Sequence, residues 1–194
     1  EKEAGIRALP APPPDAEQTD QCPFCPSQRD AATPRFPPAF HPNGRMVRGR
    51  SVLFPNLFPY AAYSAVSLFD DQHFVEIGTA SLSTYTDCFR NCAAYLQRVQ
   101  ETDARAIYVG IAQNHLPSAG GSLLHPHLQV HADWVAPNHH RFLSRRTRQY
   151  RQATGRGLLG DILQHEKSDC TRVIGRTGPW EWVEHSQPWQ RMPS

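Results

Sequence analysis

From Ser51 onward, alternation and helical spacing of apolar positions divide the chain into a series of short elements. Val52, Leu53 and Phe54 predict a strand stopped by Pro55. Ala62 to Phe69 predicts a second and His73 to Ile77 a third, with Asp70-Asp71 as the turn signal between them. Tyr85, Cys88, Phe89, Cys92, Leu96 and Val99 then recur at helical spacing. They predict a helix with one apolar face, capped by Ser83 or Thr84 and running to about Thr102. Ala106 to Ala112 reads as a strand, and 124–135 as another, ended by Pro137. Helices are expected over about 139–153 and 158–167, followed by strand-like Thr171 to Arg176 and Trp180 to Val183. Three strands, a helix and two more strands read as α+β with an antiparallel sheet. The first 49 residues behave differently. Residues 1–21 are Pro-rich and polar, as in an extended arm. Residues 26–49 are rich in Pro, Arg and Gly without periodicity, which predicts a long loop or an arm that wraps a partner.

The strand at 124–135 carries the chemistry. Six of the ten histidines fall between positions 115 and 140, and three stand in His125-Pro126-His127-Leu128-Gln129-Val130-His131. Alternate residues of a strand share a face, so His125, His127, Gln129 and His131 are expected in one row. An apolar core does not accept such a face unless each polar group finds a partner. Imidazole near neutral pH serves as nucleophile, base or metal ligand. Chance clustering in a His-rich chain is the plain alternative. The segment before the strand, Gln113 to Leu124, is a polar loop containing Gly120-Gly121 and Ser122. Backbone N–H groups in such a loop can form an anion-binding concavity, which points to phosphate chemistry.

Composition narrows the setting. The chain has 194 residues, enough for one domain or slightly more, and a net charge of +2, too mild to argue for nucleic acid. Arg141, Arg145, Arg146, Arg148, Arg151 and Arg156 form a local basic cluster, read as a solvated helix face rather than a phosphate site. No apolar run approaches the ~20 residues of a membrane span, and Pro10 to Pro14 break up any signal-peptide core. The first residue is Glu rather than Met, so the natural start is expected upstream. Five cysteines with one C-x-x-C argue against a disulfide framework and for a reducing, cytoplasmic setting. Cys88 and Cys92, at i and i+4, read as buried structural thiols before a two-thiolate metal site.

Together, Asn114, Ser118-Ala119-Gly120-Gly121-Ser122 and His125-Pro126-His127-x-Gln129 resemble the active-site signature of the galactose-1-phosphate uridylyltransferase family, a branch of the histidine-triad superfamily. Cys22-Pro23-Phe24-Cys25 resembles its metal-binding C-x-x-C, and Phe54-Pro55-Asn56-Leu57-Phe58 its nucleoside-binding strand. The resemblance runs from about position 20 to 185. It implies an α+β, histidine-triad-like antiparallel sheet with packed helices in a single apparent repeat. Residues 1–49 would be a Pro-rich arm with a metal and base loop. Residues 50–194 would be the catalytic domain, ending in a truncated lead into a second repeat at Leu158 to Ile174.

The chemistry implied is nucleotidyl transfer. His127 would attack the α-phosphorus of a nucleoside-diphosphate sugar, and a phosphorylated acceptor would take the nucleotide from the nucleotidyl-histidine, a ping-pong scheme. Gln129, Asn114 and Ser122 would contact phosphate oxygens, Asn56 the ribose and Phe24 the base. Cys22, Cys25 and His125 would be zinc ligands. The family's fourth ligand is a histidine near residue 81, where this chain reads Ala80-Ser81-Leu82-Ser83; His73 could replace it only if its strand were shifted. Leu57 stands where the uridylyl enzymes often have an acid, which leaves the base open. Two alternatives share these motifs: a dinucleoside-polyphosphate phosphorylase and a nucleotide-binding protein without turnover. A homodimer, with the arms crossing onto the neighbouring subunit, completes the expectation.

Overall fold

A computed structural model describes residues 12–76, 79–116, 119–170 and 172–183. Ile77, Ser118, Thr171, the first eleven residues of the expected arm and the segment from 184 onward lie outside the described residues. The chain divides into two units, Glu1–Val135 and Ala136–Ser194.

The first unit is built on an antiparallel sheet of five strands: β1 (Met46–Arg48), β2 (Ser51–Pro55), β3 (Tyr63–Leu68), β4 (Tyr108–Ala112) and β5 (His127–Asp133). Their order across the sheet is β1-β2-β3-β5-β4. The register pairs Val66 with Gln129, Leu68 with His127, and Ala112 with Gln129. The histidine strand is therefore an interior strand, paired on both edges.

A helix, α2 (Leu82–Thr102), covers one face of this sheet. Leu53, Ala65, Leu128, Val130 and Ala132 form a core with its Cys88, Cys92, Tyr95 and Val99. The buried stripe differs from the expected one. Phe89 is exposed, while Thr84, Asn91 and Tyr95 are buried. The helix is turned so that Asn91 faces the sheet, because its amide finds partners there: Nδ2 donates to the Met46 carbonyl at 3.2 Å and the Ser51 carbonyl at 3.3 Å. The cap is Ser81, two residues before the expected one; its hydroxyl accepts from the Thr84 N–H at 3.2 Å.

Residues 26–49, expected as a loop or an arm, are structured. They carry the short helix α1 (Pro26–Ala32) and the edge strand β1. Phe36 and Phe40 pack on each other at 4.8 Å and on Tyr95 of α2 at 5.7 and 5.8 Å. Three aromatic rings in 26–49 and α2 thus do what periodicity does not advertise. The expected strand at 73–77 is absent over its described residues 73–76. Asp70 ends β3 in a turn instead, its Oδ1 accepting from the Gln72 N–H at 2.9 Å.

The second unit contains α3 (Asn138–Thr154), α4 (Leu158–Asp169) and a hairpin of β6 (Val173–Thr177) and β7 (Trp180–Val183). No residue of α3 is buried, so its arginines form a solvated face, as expected. Gly155, at φ 72°, ends the helix in the left-handed conformation.

Candidate functional site

The face of the sheet opposite α2 bears the site. On β5, Leu128, Val130 and Ala132 point into the core, so period two sends His127, Gln129 and His131 to the other side. His125 is not in that row, because β5 begins only at His127. It lies before the strand, fully buried, and turns toward the C-x-x-C loop.

There it joins a group of four potential metal ligands, Cys22, Cys25, His73 and His125, whose donor atoms all lie within 4.8 Å of one another. His125 Nδ1 is 3.9 Å from Cys22 Sγ and 3.6 Å from Cys25 Sγ, and His73 Nδ1 is 3.3 Å from Cys25 Sγ. Tetrahedral zinc with ordinary Zn–S and Zn–N bonds separates its ligands by roughly 3.3–3.8 Å, so the donor set fits. His73 is the fourth member, and the position near 81 contributes nothing. With no strand at 73–76, no register holds His73 away from the thiols. The supporting contacts suit ligation. His125 Nε2 donates to the Asp70 carbonyl at 2.9 Å, which leaves Nδ1 unprotonated for the metal. Burial lowers its pKa to about 4, so the ring is neutral. Burial, reinforced by Cys22, pushes the Cys25 thiol up to about 12. A thiol so placed gives up its proton most readily to a bound cation. Arg29 ties the two ligand loops, donating from Nε to the Phe24 carbonyl at 3.0 Å and from Nη2 to Asp71 at 2.6 Å.

The other thiols behave as expected. All five cysteines are free. Cys88 and Cys92 are buried in the core, where Cys88 donates to the Ser67 carbonyl at 3.4 Å.

His127 adjoins the metal-ligand group through the backbone. Its Nδ1 donates to the His125 carbonyl at 2.7 Å. A carbonyl only accepts, so the proton sits on Nδ1 and the lone pair on Nε2. Burial lowers the His127 pKa, partly offset by that bond, so the ring is neutral at pH 7. A neutral imidazole with Nε2 unprotonated is a nucleophile in waiting.

His127 and Gln129 line a cleft of about 270 Å³ together with Phe24, Phe54, Asn56, Ser122 and the Thr33-Pro34 wall. The ring of Phe24 stands edge-on to His127 at 5.2 Å and to Phe54 at 5.5 Å. Asn56 Oδ1 accepts from the Phe58 N–H at 3.0 Å, which leaves its amide nitrogen for a ligand. Ser122 is presented by the glycine loop. Gly121 donates to the Leu116 carbonyl at 3.0 Å, and a Cβ there would lie 2.9 Å from the carbonyl oxygens of Asn114 and Leu116. The loop therefore closes only on glycine. Asn114 is exposed on that loop and does not line the cleft.

Sequence reasoning missed the Thr33-Pro34 wall and its support. Arg45 is buried behind it, with Nη2 donating to the Thr33 carbonyl at 3.2 Å and hydroxyl at 2.6 Å and to the Arg29 carbonyl at 3.0 Å. Its guanidinium lies 5.7 Å from the Phe54 ring centre. An arginine in an aperiodic segment gives no warning of such a role.

No protein-family model matches the chain. A curated protein of Archaeoglobus fulgidus, to which no function is assigned, is 31% identical over 168 residues, covering 86% of this chain and 49% of that protein. The chain thus spans about half the length of the curated relative it matches. Among solved structures, a uridylyltransferase matches with TM-score 0.64 at 19% identity, covering 93% of this chain and 59% of the other. An ADP-glucose phosphorylase from Arabidopsis thaliana with bound ADP-glucose matches at TM-score 0.58 and 20% identity, covering 79% and 51%. A GalT-like protein from the same plant matches at 0.60 and 19%, covering 82% and 54%. At these identities the likeness is one of fold. The chain shares the α+β fold of these GalT-like and uridylyltransferase structures, as its motifs imply.

Proposed function

We propose that this protein is a nucleotidyltransferase that moves a nucleoside monophosphate from a nucleoside-diphosphate sugar to a phosphorylated acceptor, through a nucleotidyl-His127 intermediate. The observation that carries the reading is the hydrogen bond from His127 Nδ1 to the His125 carbonyl, which leaves Nε2 as a lone pair in a cleft. Nε2 attacks the α-phosphorus and the sugar 1-phosphate leaves. The Nδ1–H bond takes up part of the positive charge that develops on the ring. The Gln129 amide donates to a non-bridging phosphate oxygen, and Ser122 adds a second donor. Asn114 would reach the phosphates only if the glycine loop closed over the ligand. The aromatic wall of Phe24 and Phe54 takes the base, and the amide nitrogen of Asn56 the ribose.

Cys22, Cys25, His73 and His125 would hold zinc. With four protein ligands it would serve structure rather than chemistry, fixing the backbone whose carbonyl orients His127. The division near residue 49, between a metal and base segment and a catalytic body leading into a second repeat, belongs to this reading as a division of labour and not of folding units, since β1 pairs with β2 across it; a homodimer and a cytoplasmic setting belong to it as well. No described helix is long and apolar enough to cross a membrane.

A phosphorylase, with inorganic phosphate as acceptor, is the second reading. Gln129 favours it equally, because an amide cannot relay a proton from water and so spares the intermediate for an ionised phosphate oxygen. Product analysis separates the two. With a nucleoside-diphosphate sugar as donor, the first reading expects nucleotide exchange onto added sugar 1-phosphate at a rate well above that onto inorganic phosphate. Exclusive use of inorganic phosphate would establish the second, and no turnover of any donor would leave a binding protein.

A further inference from the structure

The mild net charge of +2 conceals how charge is distributed. α3 carries five arginines and no acid in 17 residues, so the remainder of the chain is net acidic. Elsewhere cations are answered within the fold: Arg29, Arg45, Arg98, Arg105, Lys167 and Arg172 each pair with a carboxylate. Arg156, just beyond α3, pairs with Asp161 of α4 at 2.7 Å. None of the five arginines on α3 has an acidic partner among the described residues; Arg146 lies over the Phe142 ring at 5.3 Å.

The helix sets their arrangement. Leu143, Thr147 and Tyr150 are its half-buried positions, and Tyr150 donates to Asp161 of α4 at 2.6 Å. Arg141, Arg145 and Arg148, at i, i+4 and i+7, form a row on the opposite side, with steps of about 6 and 4.5 Å along the axis. Gln152 continues the row, Ser144 and Gln149 flank it, and Phe142 is the one large apolar side chain beside it. Like charges at these spacings oppose one another along a helix, and its first turn has no acid to offset them. An external anion does so.

We infer that this outer row of α3 binds the phosphate backbone of a nucleic acid, without reading its bases. Charge complementarity and the make-up of the face select this occupant. A helix that lies in a membrane surface sets a broad apolar face beside its cations, and Phe142 alone does not make one. A protein partner is held by an apolar patch at the centre of its interface, and the row has none. It presents positive charge and hydrogen-bond donors in regular steps, guanidiniums between carboxamides and a hydroxyl. A duplex carries about one phosphate charge per 1.7 Å of its axis, dense enough for each arginine of the row to meet one. Binding here involves no covalent step and does not depend on the transferase reading.

Fluorescence anisotropy of the full chain, with a short labelled duplex DNA and with its single strand, tests the inference over about 50–200 mM salt. Three arginines that displace counterions from a duplex give log K against log salt a slope of about −2.7. The triple variant Arg141→Gln, Arg145→Gln, Arg148→Gln keeps good helix formers, so its circular dichroism should match wild type. Its slope should flatten by about 2–3, and its binding should weaken at least about tenfold at the low-salt end. Arg48→Gln, Arg90→Gln, Arg176→Gln removes the same charge away from α3 and should stay near wild type. That pattern with either form of DNA supports the row. No binding of either form at about 50 mM salt, or an equal loss in both triple variants, would overturn it. Sedimentation with phosphatidylserine vesicles is the third arm. Capture by vesicles that needs the α3 arginines, with no binding of DNA, would overturn the inference in favour of a membrane surface.

Discussion

Replacing His73 by Ala removes the fourth member of the Cys/His group, the ligand that sequence reasoning left unassigned, and its consequence can be worked out in advance. Structural zinc sites bind with about 10–16 kcal/mol in all, or about 2.5–4 kcal/mol per ligand if four share it evenly. Losing one ligand then weakens zinc binding by about 10²- to 10³-fold. In a zinc buffer held at 100 times the wild-type Kd, bound metal stabilises the native state by about 2.7 kcal/mol. After a 100-fold loss of affinity the same buffer supplies only about 0.4 kcal/mol. The difference of about 2.3 kcal/mol corresponds to about 5–9 °C in Tm for a chain of this size. Differential scanning calorimetry of metal-free wild type, His73→Ala and a His115→Ala control, each with and without buffered zinc, reads it directly. Wild type and the control should show the full zinc-dependent rise, and His73→Ala little of it. A wild-type rise in His73→Ala would remove His73 from the ligand set. No rise in any of the three would remove the site.

Three further outcomes are expected. Gln129→His should raise hydrolysis of the nucleotidyl-enzyme relative to transfer, because imidazole relays protons; an unchanged partition between water and acceptor, measured by product ratio, would contradict the role given to Gln129. Because burial lowers the His127 pKa, the reactive neutral ring should already be fully populated at pH 7. The rate of adduct formation should be flat above that pH and decline only below about 6.5, and an inflection above pH 7 in single-turnover measurements would contradict the assignment. Light scattering at micromolar concentration should give twice the 21.9 kDa chain mass; a monomer would refute the homodimer.

Much of the sheet and the histidine row was legible because period two is enforced by burial. Leu128, Val130 and Ala132 must face α2, which leaves His127 and Gln129 to the other side. The metal group was legible only in part. Cys22, Cys25 and His125 stand in recognisable motifs, whereas His73 follows an Asp turn that reads equally well as the start of a strand. What decides the matter is the Asp70 carboxylate accepting from Gln72, a contact that alternation does not encode. The same holds for residues 26–49. Phe36, Phe40 and Arg45 are held by tertiary partners on α2, α1 and β2, not by a local period. Asn91 rotated the buried stripe of α2 for a related reason: a polar side chain with three partners is as good a core residue as the expected Phe89.

The central claim is that His127 carries the nucleotide. Its most direct test is intact-mass measurement of wild type and His127→Ala after brief incubation with a panel of nucleoside-diphosphate sugars, without acceptor. Wild type should gain the mass of one nucleoside monophosphate, localised to His127 by fragmentation and discharged on adding acceptor, and a folded His127→Ala protein should gain none. An adduct of the same mass on His127→Ala, or turnover of a donor by that variant at the wild-type rate, would contradict it.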